Sequence, residues 1–161
     1  MKAALVAGLL ILGPSARGAQ PVALTKEEVS DPHELLSPFT GSTDSFKALR
    51  AFPETLIYDV SWGFLSVGEA TLSVPNVALL NGKPAYHIVS EAVSNKFCDN
   101  FFEVRDLNES WMDARTLTSL GYKKRLREGA FFRDEWVLYD TEKLAFLSKK
   151  VNRDATYEYG A

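Results

Sequence analysis

Cysteine is almost missing from this chain of 161 residues, since Cys98 is the only one. No internal disulfide can form, whatever the redox state of the compartment. Histidine is nearly as scarce, with His33 and His87 alone and far apart in sequence. That set offers no zinc-ligand spacing. A basic excess is lacking too: 18 Lys and Arg face 21 Asp and Glu, a net charge of −3. This balance argues against a nucleic-acid partner. There is no glycine-rich phosphate loop and no nucleophile elbow. Past the first dozen residues no apolar run reaches the roughly 20 residues that a membrane-crossing helix takes. These absences leave no cofactor or metal to expect, and no enzyme centre.

What is present begins with a leader. Lys2 precedes an apolar run from Ala3 to Leu12, Gly13-Pro14 breaks it, and small residues follow at Ser15, Ala16, Gly18 and Ala19. That is the layout of a secretory signal peptide over residues 1–19, with cleavage after Gly18 or Ala19. The chain is therefore expected to be exported across an inner membrane, with a periplasmic destination. Loss of Lys2 and Arg17 with the leader leaves 16 basic residues against 21 acidic ones, a net of −5.

Residues 20–53 are rich in Pro, Ser, Thr, Gly and Asp, the composition of a loosely attached arm. Asp31 before Pro32, with Glu34 in the first turn, predicts a short helical turn. Asp44 or Ser45 caps a second, over Phe46 to Leu49. Phe39, Phe46 and Phe52 are expected to pin the arm to the domain. Nothing in the arm reads as chemistry.

From Glu54 onward the pattern alternates. Leu56, Tyr58, Val60 and Trp62 share one strand face, and Ile57, Asp59 and Ser61 the other, the period-two mark of a half-buried strand. Gly63-Phe64 turns the chain into a second strand, Leu65 to Val74, where Gly68 marks a bulge or a close backbone approach. Asn81-Gly82 is a hairpin signal, and a third strand carries Tyr86 to Val93. Ser94 to Phe102 breaks the rhythm with one helical turn or a packed loop. Alternation returns over Val104–Met112, Leu117–Arg127, Phe131–Asp140 and Leu144–Val151, and an eighth strand starts at Thr156. Strands at this spacing predict a mainly β, antiparallel meander that forms a curved sheet, a half-barrel or an incomplete barrel over residues 54–161.

The residues Glu54-Thr55-Leu56-Ile57-Tyr58-Asp59-Val60-Ser61-Trp62, then Gly63, Val67-Gly68 and Ala70, resemble the opening of the bacterial domain of unknown function 3108. The resemblance continues through Gly82 to Ile88 and through Asp106 with Glu109-Ser110-Trp111-Met112-Asp113 and Leu117. It takes in Lys124-Arg125, Asp134-Glu135 and Tyr139-Asp140. It implies an exported envelope protein with a curved antiparallel sheet and no assigned activity. It also implies further strands beyond Ala161, so the domain is expected to be an amino-terminal half with an exposed edge prone to self-association.

Few side chains invite a chemical role. His87 and Cys98 read as structural, since neither has a visible activating partner. Adjacent Asp134 and Glu135 point to opposite strand faces, as do Asp106 and Glu109 three residues apart. Asn108-Glu109-Ser110 matches a glycosylation triplet that arises readily by chance. Lys123, Lys124, Arg125 and Arg127 form a basic run for an anionic surface; pairing with Asp134 and Glu135 on the next strand is the plainer account. Tyr58, Trp62, Tyr86, Trp111 and Trp136 are candidates for an apolar ligand face on a curved sheet. The functional expectation is a non-catalytic binding module or carrier for a lipid-like ligand. The alternative is an envelope scaffold that engages another protein.

Overall fold

The computed structural model describes residues 29–43, 46 and 53–160. The leader, the cap at Asp44 or Ser45, and Phe52 lie outside the described residues. Among the described residues nine strands form one antiparallel sheet. They are β1 (Leu36–Pro38), β2 (Glu54–Trp62), β3 (Leu65–Leu80), β4 (Lys83–Ser94), β5 (Arg105–Asp113), β6 (Ser119–Glu128), β7 (Phe131–Asp140), β8 (Ala145–Asn152) and β9 (Thr156–Gly160). From β3 to β9 every strand pairs with its sequence neighbour. The product is an open, curled half-barrel.

The alternation of side chains builds this meander, and local chemistry closes its hairpins. Asn81 and Gly82 both take positive φ, 48° and 75°. A type I′ turn between β3 and β4 requires that conformation.

The long strand β3 runs past the Val74 boundary read from the sequence. Pro75 has no N–H to give a ladder, but it falls where the register jumps from Ser73↔Val89 to Asn76↔His87. A bulge absorbs the proline, and pairing resumes beyond it. The length of β3 lets one edge serve two partners. Its first half pairs with β2 and its last residues, Ala78 to Leu80, pair with β1.

The strand β1 was not legible in the sequence, and residues 29–38 are not a loose arm. Asp31 caps a 3-10 turn, Pro32–Leu35, by accepting from the His33 backbone N–H at 3.0 Å. The chain then wraps the sheet edge. Residues 29–35 lie on one face, and Phe39 and Phe46 lie on the other against Val74, Tyr86 and Ala114. A second apolar cluster, Leu80, Ala85, Trp111 and Leu120, packs under Leu35 and Leu36. The wrap thus gives a single open sheet a small core on each side, each removing apolar area from water.

Candidate functional site

Strand register decides which side chains meet. Trp111 pairs with His87 on one side and Gly121 on the other, and Glu109 pairs with Val89 and Lys123. Paired residues share a face, so His87, Glu109, Trp111 and Lys123 project together, and so does Trp136, the partner of Lys123. The 3-10 turn lies on this Trp111 face.

His33, read from the sequence as part of an inert arm, meets the sheet here. Its Nε2 lies 2.8 Å from Oε2 of Glu109, and Nε2 of His87 lies 2.9 Å from Oε1. One carboxylate is thus clamped between two imidazoles. An ionised carboxylate can only accept, so each ring donates from Nε2. The His87 ring stacks on Trp111, with centroids 5.3 Å apart and planes within 3°, and His33 meets the same indole edge-on at 5.5 Å. Beside this cluster Lys123 pairs with Asp31, and Trp136 Nε1 donates to the Val29 carbonyl at 3.3 Å. Lys123 and Lys149 flank the Trp136 ring.

The hydrogen bond from His87 holds the Glu109 carboxyl below its usual range, against the upward push of burial, with help from His33. Because this pKa is depressed in the folded state, its stabilisation is complete above the ordinary carboxylate value and fades as pH falls through the folded value. Stability should therefore drop on acidification, and Glu109→Gln should flatten part of the drop. Melting curves of both proteins between about pH 6 and pH 3 check this. Parallel losses would show that the clamp is not linked to folding.

Chemically the cluster is a fastening. Both carboxylate oxygens and both Nε2 atoms are spent on one another, and among the described residues no group of three His, Cys, Asp or Glu side chains is placed to hold a metal ion. Cys98 lies in a helical turn, α1 (Lys96–Asp99), beyond the end of β4. It is separated from His87 by about 20 Å of strand at the usual rise. The two do not form a nucleophile and base.

The five aromatic candidates do not share one face. Tyr86 pairs with Met112 while Trp111 pairs with His87, so this register puts Tyr86 opposite to Trp111. Tyr58, paired with Ala70, belongs with Tyr86. Trp111 is fully buried, whereas Trp62 is exposed beside the Gly63 turn. On the Tyr86 face, Leu56 lies across from Leu72, and both are exposed, as is Tyr58. This strip runs into the patch at Val74, Ile88 and Tyr86.

The basic run divides as well. Lys123, Arg125 and Arg127 share the Trp111 face and Lys124 lies opposite. Lys123 is held by Asp31, and Arg127 reaches Asp134 of β7 at 2.8 Å. Half of the run is therefore already paired inside the chain. No sequence signal pointed to His33 and Glu109, which stand 76 residues apart.

Set beside known proteins, residues 57–158 match a family model described as a protein of unknown function (DUF3108). No curated protein and no solved structure matches the chain.

Proposed function

The chain belongs to the DUF3108 family, and on that premise we propose that it is an exported, non-catalytic binding module that shelters a lipid-like apolar ligand in the cell envelope. The observation that carries this reading is the uncovered strip on the Tyr86 face. Leu56, Tyr58 and Leu72 form cross-strand apolar neighbours that stay exposed, next to a patch that Phe39 and Phe46 already cover. An acyl chain laid along the strip would extend that apolar contact without new polar groups to satisfy. The leader at residues 1–19 supports the location.

Uptake of a fluorescent fatty acid by the purified chain, without vesicles, tests the reading. Saturable uptake is expected, and Leu72→Glu should weaken it roughly tenfold or more, since a buried side chain of this kind accounts for about 1.5–3 kcal/mol. Protein that takes up no fatty acid and carries no extractable lipid would overturn it. A scaffold is the second reading, favoured by the outer edge of β2, which has no strand partner among the described residues. Crosslinking in cells that yields a reproducible protein partner through β2 would support it.

A further inference from the structure

Residues 29–35 are fastened to the Trp111 face in two unlike ways. Two contacts end on a carboxylate. His33 Nε2 donates to Glu109 of β5, and Lys123 of β6 donates to Asp31. The other Asp31 oxygen caps the 3-10 turn through the His33 backbone N–H. Two further contacts join uncharged groups: Trp136 Nε1 donates to Val29 O at 3.3 Å, and Asn81 N–H donates to Leu35 O at 3.1 Å. The meander beneath is held otherwise. Backbone ladders join β2 through β9, and amide–carbonyl bonds do not titrate in this range. Acid therefore acts on the turn through two carboxylates and leaves the ladders of the sheet alone.

Water reaches the clamp without unfolding. The His33 side chain is 46 % exposed, against 16 % for His87 and 11 % for Glu109. His87 is stacked on Trp111 and built into β4, so His33 is the ring that can leave. The charged neighbours of Glu109 on this face are His87 and Glu91 of β4, Lys123 and Arg125 of β6, and Asp31 and His33 of the turn. Glu34 of the turn is exposed. Farther out, Asp134 of β7 is taken by Arg127, and Lys149 of β8 by Glu158. Imidazoles carry a proton in acid. Once Glu109 is neutral as well, the anion between the two rings is gone, and two imidazolium ions and Lys123 crowd one site. Their repulsion acts on the ring that sits on a movable segment.

We propose that residues 29–35 form an acid-released strap: when Glu109 takes up a proton, the 3-10 turn leaves the Trp111 face while the meander stays folded, and the cluster of Leu80, Ala85, Trp111 and Leu120 loses its cover. The ladder of β1 on β3 keeps the strap tethered, as do Phe39 and Phe46 on the other face, so release is reversible. The clamp outweighs burial at Glu109 and holds its carboxyl below the usual range. Release therefore comes in acid below that range and not near neutrality. The strap and the apolar strip of the Tyr86 face lie on opposite sides of the sheet, and neither reading depends on the other.

Acid titration of the purified chain carrying Trp62→Phe tests the proposal. Trp62 is 74 % exposed, and its removal leaves emission from Trp111 and Trp136 alone. Between about pH 6 and pH 3 the emission should move to the red, and acrylamide quenching should rise, at a higher pH than the loss of strand signal in circular dichroism. Return to the starting pH should reverse both. Coincident transitions would show that the turn leaves only when the sheet unfolds, and the proposal would fall. His33→Ala removes the strap's side of the clamp and no residue of the sheet. Amides of residues 33–35 should then exchange roughly tenfold faster at neutral pH, with the strand signal unchanged; unaltered exchange there would overturn the proposal. Glu109→Gln keeps an acceptor oxygen that acid does not neutralise, so this variant should hold the strap down to the pH at which the sheet itself unfolds. Early release that persists in Glu109→Gln would also overturn it, because the trigger would be another group.

Discussion

Replacing Trp111 by alanine is expected to cost about 3–5 kcal/mol, the usual range for emptying a buried aromatic site. The melting temperature should fall by on the order of 10–20 °C for a chain of this length. The indole is 0 % exposed and packs with Leu80, Ala85 and Leu120, beneath Leu35 and Leu36. Its faces and edge also seat both imidazoles that hold Glu109. Truncation therefore opens a cavity and frees the two rings together. Backbone amides of residues 33–38 should exchange faster in the variant, even at temperatures where the sheet persists. Trp111→Phe should lose less, because a ring remains to stack. An unchanged melting temperature in the alanine variant would show that the surroundings collapse into the space and that the wrap does not depend on the indole.

Gly68→Val is expected to be the other severe change. A Cβ at Gly68 would sit 2.3 Å from the Val93 carbonyl oxygen and 3.0 Å from the Ser94 Cα. Both belong to the backbone of β4, which cannot swing aside as a flexible side chain would. Gly68 also stands beside a bulge, where Val60↔Gly68 gives way to Ser61↔Ser66. Overpacking usually costs about 1–3 kcal/mol and more when backbone must move; the upper end or beyond is expected here. Asn95 holds Ser66 and Val67, so the displaced strand should also loosen the segment between β4 and β5. Gly82→Ala is the matched control. Nothing lies within 4 Å of a Cβ there, and only the positive φ of 75° opposes the side chain. That cost is about 1–2 kcal/mol. Chemical denaturation of the two variants should therefore rank Gly68→Val well below Gly82→Ala. Equal midpoints would mean that the β3–β4 contact yields more readily than the geometry implies.

The meander was legible because strand signals are local. Leu56, Tyr58 and Val60 alternate with Ile57 and Asp59 whatever happens elsewhere, and the Asn81-Gly82 pair carries its turn geometry in two residues. Even Gly68 announced a bulge or a close approach, and the structure has both there. The short turn capped by Asp31 was legible too, since a cap acts within three residues. The part of β3 beyond Val74 was not read. Pro75 lacks an N–H, which locally disfavours a strand, but a bulge placed by the pairing with β4 removes the penalty.

By itself, then, the sequence determined an antiparallel β meander, with its turns and the alternation of each strand, because period and turn chemistry act over a few residues. The family match over residues 57–158 agrees with the resemblance read from the residues. The tertiary structure decided what faces what. Tyr86 and Trp111 fall on opposite sides because β4 and β5 pair as 86↔112 and 87↔111, and a shift of one residue would have reversed it. It also brought His33 to Glu109 across 76 residues of sequence. Such contacts arise from docking and register over long sequence distances, where the stabilisation comes from burial on an assembled surface that no local segment possesses.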